Sequence, residues 1–391
     1  MNLALFLGGI FLFTFFLGIF LERIRIPWIF ASLILGLIFA FKNPFSEIVS
    51  SETFRFLAWL GMYFLLFLIG FELDLEKIKR LRRFIIKSTL FIIVFEAIFG
   101  TLLVHLIFNI SWLISILIAL SFATVGEAVL IPILDKFKLT KTKLGQSILG
   151  IGVLDDVIEV LVIIIAIFFL SFLFGKNDGG IIKDIQPVIS SLFLLFFLIF
   201  LIILFKRKFS KIKIKSIELI SLFCLSVFFL FVGIGEIAEA SALGALLAGI
   251  FIKNFFSKER IKKIEESEIK TLAYGFFGPL FFFWVGIDTN LGYLFKNIPL
   301  VLLVVGITYS SKVLGSFISA KKELGRKISL FLGINLCVRF STSLVIIKFF
   351  FEKGLIGLDL YSILIATTTF SIIIPFFLPF LIQKWKIIKI I

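Results

Sequence analysis

Apolar runs follow one another through almost the whole of this 391-residue chain, and their length decides what it can fold into. A helix needs roughly 20 mostly apolar residues to cross about 30 Å of hydrocarbon. Lipid offers no hydrogen bonds, so each run must satisfy its own backbone, which a helix does. Thirteen runs qualify: Leu3 to Leu21, Ile26 to Phe41, Phe54 to Phe71, Phe84 to Ile107, Trp112 to Leu134, Gly145 to Phe174, Val188 to Phe205, Ile217 to Ile234, Ala240 to Phe256, Thr271 to Ile287, Ile298 to Ala320, Ile328 to Phe350 and Leu360 to Ile382. The expected fold is an all-α polytopic membrane protein with 13 transmembrane helices. Composition agrees: 60% hydrophobic residues and a mean hydropathy of +1.17 leave too little polar surface to cover a soluble domain. The first run has neither a basic n-region nor a small-residue cleavage site, so it reads as a retained helix, not a signal peptide.

A net charge of +15 would suggest a nucleic-acid partner if the basic residues gathered on a soluble domain, but they do not. They sit in alternate connections. Those after the odd-numbered spans, with the C-terminus, hold the large majority of the 40 Lys and Arg. Because cytoplasmic loops carry the excess, the N-terminus is expected outside and the C-terminus inside. The basic stretches Lys206 to Lys215 and Lys253 to Lys270 then read as ordinary cytoplasmic loops. Cys224 and Cys337, the two cysteines, both lie in apolar runs and suggest neither a disulfide framework nor a thiolate metal site.

Two spans are interrupted in comparable ways. The fifth reads SFATVGEAVLIPIL, where Thr124, Gly126 and Pro132 break an apolar run beside Glu127. The twelfth reads GINLCVRFSTSLVI, with Asn335, Arg339, Ser341 and Thr342 at mid-depth. Each is the fifth member of a six-span set, 1 to 6 and 8 to 13. An offset of seven crossings reverses direction, so the sets form two inverted six-helix repeats, with crossed broken helices 5 and 12 and span 7 as linker. Paired broken helices point to a transport site, because half-helix ends and freed backbone groups can bind ions near the midplane.

Ionisable residues at membrane depth are functional candidates by default, since a charge there costs at least about 2.5 to 3.5 kcal/mol. Six stand out: Glu96, Glu127, Asp155, Asp156, Lys312 and Arg339, and Glu159 continues the polar face of the double aspartate. At about 1.5 Å rise per residue, Asp155 lies roughly 15 Å into its span and Lys312 roughly 12 Å into the eleventh, so they can share a layer. Lys312 at that depth calls for a carboxylate partner. Two adjacent carboxylates resist simultaneous ionisation, so a cation, which wants hard oxygen ligands, competes with protons for them. Arg339 stays charged and is expected to pair with Glu96, Glu127 or Glu159. Glu127 reads equally well as a structural or a site carboxylate. Glu72 and Asp74 read as a solvated helix end, and His105 as a wetted interfacial histidine.

With these segments in order, the chain resembles the monovalent cation:proton antiporter-2 family, in its bacterial sodium/proton antiporter branch. The motifs that carry the resemblance are LLFLIGFELDL (Leu65 to Leu75), GVLDDVIEV (Gly152 to Val160), SALGALLAGIF (Ser241 to Phe251), FGPLFFFWVGIDTNL (Phe277 to Leu291) and SSKVLGS (Ser310 to Ser316). The resemblance implies no cofactor, a homodimer in an inner membrane, and an elevator in which a core slides past a panel. The panel would comprise residues 1–78 and 216–290, the core 79–182 and 291–391, and the linker 183–215. Asp156 would be the principal cation carboxylate, with Asp155, Thr124 and Glu127 beside it. Asp155 would pair with Lys312, making exchange of Na⁺ or Li⁺, with K⁺ as a third cargo, electrogenic; Arg339, Glu96 and Glu159 would form the supporting charges. Glu127 in the fifth-span break, and no acid directly after Arg339, depart from the commoner pattern and leave stoichiometry and cation preference open. The sequence shows no soluble regulatory domain, unlike the glutathione-gated potassium branch. Two alternatives stand beside this reading: a sodium-coupled organic-anion symporter of the same fold, and an intramembrane aspartyl protease, whose Gly-x-Gly-Asp turn does not match Gly152-Val153-Leu154-Asp155.

Overall fold

The computed structural model of the chain describes residues 2–24, 26–72, 83–121, 124–174, 216–237, 240–256 and 269–385, with isolated positions 193, 197, 200 and 387. Helix is the recurring element, as backbone self-sufficiency in lipid requires. In chain order these are α1 (Leu3–Arg23), α2 (Ala31–Ala40, entered through a 3₁₀ turn at Trp28–Phe30), α3 (Ser46–Val49), α4 (Glu52–Glu72), α5 (Arg83–Phe108), α6 (Trp112–Ser121), α7 (Glu127–Lys136) and α8 (Lys143–Phe174). They continue as α9 (Ile217–Glu236), α10 (Ser241–Phe255), α11 (Gly278–Ile287), α12 (Leu291–Lys296), α13 (Ile298–Leu324), α14 (Arg326–Leu336), α15 (Ser341–Glu352), α16 (Leu358–Phe370) and α17 (Ile373–Lys384).

Among the described residues, six helices are long and apolar enough to cross a membrane, seven when the bent pair α14 and α15 counts as one span. Four shorter apolar helices accompany them. The seventh expected run, Val188 to Phe205, lies outside the described residues but for three positions. Both interruptions read from the sequence are present. The fifth run is two helices, α6 and α7, with Pro132 inside the second; the twelfth is α14 and α15, which meet at 45°. Two irregularities had no sequence signal. The tenth run opens with a π-helical stretch, Thr271–Phe277, and the last one turns at Ser371 and Ile372, between α16 and α17.

Helix α5 shows how lipid turns the usual pattern inside out. Its buried stripe, Ile85, Thr89, Ile92, Glu96, Gly100 and Leu103, recurs every three or four residues and includes its polar groups. Leu90, Phe91, Val94, Ile98 and Leu106 face outward. Lipid tails solvate these residues as well as a core would, so association between helices rests on close packing and interhelical hydrogen bonds.

The chain divides into two compact units, residues 1–51, 74–159 and 282–391 in one, 52–73 and 160–281 in the other. Each contains a crossing that only glycine permits. In the first unit, a Cβ on Gly36 of α2 would lie 2.3 Å from the Phe283 carbonyl oxygen, and one on Gly286 of α11 would lie 2.5 Å from that of Leu33. In the second, a Cβ on Gly249 of α10 would lie 2.0 Å from the Phe67 carbonyl oxygen, and one on Gly70 of α4 would lie 2.1 Å from that of Leu246. Both are reciprocal contacts at identical sequence offsets: each glycine meets the carbonyl three residues before its partner glycine. Gly70→Val is expected to lower stability in detergent by about 2 kcal/mol or more, as overpacking does. Gly8, with nothing within 4 Å of where its Cβ would be, should accept Ala within about 0.5 kcal/mol. Thermal unfolding of the two purified variants makes the comparison, and equal midpoints would refute it.

Candidate ion-coupling site

Three helical segments of the first unit deliver charge to one dry place. The buried stripe of α5 carries Glu96, 1% exposed. A second stripe on α13, Val304, Thr308, Ser311, Lys312, Gly315 and Ser316, carries Lys312, also 1% exposed. Gly315 stands where the two helices meet, the position of a Cβ on it lying 3.4 Å from the Ile92 Cα. Arg339 comes from the break between α14 and α15 and is fully buried. Its backbone is held where no helical bond is available: Arg339 N–H donates to Ser371 Oγ at 3.2 Å, and that hydroxyl donates to Arg339 C=O at 2.7 Å. One break thus supports another, since Ser371 stands in the turn between α16 and α17.

One carboxylate, that of Glu96, meets both cations. Arg339 Nη2 donates to Glu96 Oε1 at 2.6 Å, and Lys312 Nζ lies 3.5 Å from Glu96 Oε2. The Arg339 guanidinium also stands 5.4 Å from the centre of the Tyr309 ring, a cation–π contact. Of the three carboxylates the sequence offered Arg339, Glu96 is one it holds. Lys312 meets that same acid.

The two broken segments touch at their breaks. Gly126 N–H donates to Val338 C=O at 2.7 Å, and the Thr124 and Ser343 hydroxyls hydrogen-bond to each other. Lys312 Nζ donates to Thr124 C=O at 3.1 Å, so the ammonium is tied to the first break as well as to Glu96. The backbone explains the reach. Residues 124 to 126 are not helical, and Phe340 adopts φ −158° and ψ −109°, packed against the rings of Phe30 and Phe282 at 4.0 and 4.7 Å. Such freed carbonyls and amides are tolerated at membrane depth only inside protein.

Asp155 lies on α8, 3% exposed. The backbone places Asp156 and Glu159 on the same helix and Glu127 at the first turn of α7, while their side chains lie outside the described residues. Among the described residues, no group of three His, Cys, Asp or Glu could form a metal-ligand set. Of the residues that the sequence offers as separate candidates, Thr124, Glu96, Lys312 and Arg339 come together here. Tyr309, Ser343 and Ser371 join them without having stood out, since a tyrosine or serine in an apolar run carries no signal until its neighbours are known.

Paired discontinuous helices around a buried acid, lysine and arginine define a class: membrane transporters of small ions. The family comparison agrees with that class. Residues 10–384 match the family described as sodium/hydrogen exchanger, transmembrane, and the chain belongs to that family of monovalent cation:proton antiporters. A probable Na⁺/H⁺ antiporter 3 of Methanocaldococcus jannaschii is 26% identical over 355 residues, covering 90% of this chain and 89% of the relative. The Na⁺/H⁺ antiporter of Enterococcus hirae is 26% identical, covering 83% and 84%. The sodium proton antiporter MjNhaP1 of M. jannaschii shares the fold, with a TM-score of 0.65 at 17% identity over 98% of this chain and 96% of that one.

Glu96→Gln would remove the charged acid that Lys312 and Arg339 share in a low-dielectric site, and losing one partner of a buried ion pair costs about 3 to 5 kcal/mol. The expected outcome is a lowered unfolding midpoint in detergent, smaller for Glu96→Asp. A midpoint matching the wild type would show that this carboxylate does not hold the two cations.

Proposed function

We propose that the chain is a secondary active transporter that exchanges Na⁺ or Li⁺ for protons across a membrane, with K⁺ as the third candidate cargo. The observation that carries this reading is the buried Glu96, Lys312 and Arg339 cluster where two broken segments cross. A relative in Bacillus cereus, the Na⁺/H⁺-K⁺ antiporter GerN, keeps potassium among the candidates.

Charge explains why cation and proton would compete. Glu96, Lys312 and Arg339, all ionised, sum to +1. Asp155 and Asp156, both ionised, would bring the site to −1, and either one proton or one monovalent cation would then neutralise it. A dry site favours the neutral states, so arrival of one ligand expels the other. In this reading Asp156 takes the cation, with Asp155 and the Thr124 oxygens beside it. Asp155 shares Lys312 with Glu96 when the cation is absent. Glu127, at the start of α7, and Glu159, one turn beyond Asp155, adjust the local charge. A second proton, released by Lys312 as the cation binds and regained as it leaves, would add to this one-for-one exchange and make the cycle electrogenic. The chain acts as a transporter, not as an enzyme, and needs no cofactor.

The architecture proposed with it has 13 spans in two inverted repeats. The matched glycine crossings support this. Under an offset of seven spans, α2 corresponds to α10 and α4 to α11, so the Gly36/Gly286 crossing is the image of Gly249/Gly70. The local sequences agree: Leu33, Gly36 and Leu37 answer to Leu246, Gly249 and Ile250, and Leu65 to Glu72 answer to Phe281 to Asp288. The N-terminus faces outward and the C-terminus the cytoplasm, in a homodimer whose panel (residues 1–78 and 216–290) supports a core (79–182 and 291–391) that moves as an elevator, joined by residues 183–215.

Purified protein in liposomes is expected to dissipate an imposed pH gradient when Na⁺ or Li⁺ is added. Asp156→Asn should abolish this, and undiminished exchange in that variant would falsify the role given to Asp156. Lys312→Gln should remove charge movement recorded on a solid-supported membrane; an unchanged current would leave Lys312 a structural partner of Glu96.

A further inference from the structure

A second buried lysine lies two turns beyond the break, in α15, in a site that the exchange mechanism does not use. Lys348 is fully buried, and its Nζ lies 2.5 Å from Asp288 Oδ2 and 2.8 Å from Glu352 Oε1. It also stands 3.7 Å from the centre of the Trp284 ring and within cation–π range of Phe351 and Tyr361, at 5.0 and 5.3 Å. Tyr361 is itself fixed, its hydroxyl donating to Val285 C=O at 2.8 Å. Asp288 follows the C-terminus of α11, so Lys348 fastens α15 to the end of α11. Asp288 and Glu352 keep contact with solvent, their side chains 29% and 19% exposed. The ammonium is therefore sealed below a carboxylate surface.

Asp288 has a counterpart. It stands two residues after Gly286, just as Glu72 stands two after Gly70, and the two glycines make matching crossings. Glu72 also holds lysines: Lys270 Nζ lies 2.9 Å from its carboxylate, and Lys253 Nζ donates to its backbone carbonyl at 2.8 Å. The surroundings differ. The Lys270 and Glu72 side chains are 43% and 36% exposed, where Lys348 is wholly enclosed. An exposed pair of this kind holds weakly, whereas a desolvated, doubly paired and aromatically caged lysine does not let go without replacement contacts.

We propose that Lys348 is the positioning residue of an outer latch: bound to Asp288 and Glu352 within the Trp284, Phe351 and Tyr361 cage, it holds the outer half of the broken span against the end of α11 and keeps the outer face closed. This rests on the exchange cycle and orientation proposed above, in which α11 belongs to the panel and α15 to the moving core. The latch must then open whenever the site turns outward. The Glu72 cluster, placed at the opposite face by the repeat, is its looser inner counterpart.

Oriented proteoliposomes test this by measuring the Na⁺ concentration for half-maximal exchange from each face separately. Removing the latch raises the outward-competent fraction, and apparent affinity follows that fraction. Lys348→Gln is expected to lower the outer half-saturating concentration about fivefold or more, within the usual range of conformational coupling, and to raise the inner one. Asp288→Asn should act in the same direction, Lys348→Gln with Asp288→Asn should add little beyond the single changes, and Lys348→Arg should restore the wild-type sidedness. Equal changes on both faces, additive effects, or no change overturn the latch and leave Lys348 a packing residue. Wild-type protein that performs no exchange overturns the proposed function and the latch with it; exchange by the wild type without sidedness in the variants overturns the latch alone.

Discussion

Two cations that cannot reach water share one carboxylate, and much of the first unit is arranged so that they can. Glu96 accepts from Arg339 at 2.6 Å and faces Lys312 at 3.5 Å. Every element contributing to that contact is irregular or specially packed. Gly315 lies where α5 and α13 meet, the break after α14 brings Arg339 inward, and the Ser371 turn holds the backbone of Arg339. Replacing such a group with apolar side chains would often stabilise a protein. In the exchange proposed above, its place in a membrane interior has a use: a site that changes its proton and cation content draws on charges that are held out of contact with solvent.

The crossing of the two breaks adds backbone groups to this field of charges. Thr124 C=O receives the Lys312 ammonium, Val338 C=O receives the Gly126 amide, and the Thr124 and Ser343 hydroxyls meet. Ordinary helices would hide every one of these carbonyls and amides in internal hydrogen bonds. Interrupting two helices at the same place frees oxygen atoms for other partners while the surrounding helices keep lipid away.

The packing that holds this arrangement is the kind lipid demands. Outward faces such as that of α5 are apolar and gain nothing from burial, so adhesion is concentrated at a few close crossings. The Gly36/Gly286 and Gly70/Gly249 crossings place backbone against backbone, at distances where any side chain would collide. Their offsets are identical, and in each case an acid stands two residues beyond the glycine, Glu72 after Gly70 and Asp288 after Gly286. Both acids hold lysines, in unlike surroundings.

The sequence by itself determined the solvent, the helical character and the interruptions. Apolar runs of spanning length admit one hydrogen-bonding solution, and Gly126, Pro132 and a polar stretch around Arg339 mark where it fails. It also singled out Glu96, Lys312, Arg339 and Asp155, because a charge in hydrocarbon is costly enough to be conspicuous without any knowledge of its neighbours. Lys348 escaped notice because it lies near a span end, where a long side chain can reach water by snorkelling; burial inside a cage of rings is a fact of packing alone. Partnership was likewise a tertiary decision. Glu96 and Arg339 are 243 residues apart, and Glu96, Glu127 and Glu159 were equally eligible from their types. Only the distances set by α5, α13 and the two breaks made Glu96 the acid that holds both Lys312 and Arg339, because Coulomb attraction in a dry interior is decided by ångströms that no linear spacing encodes.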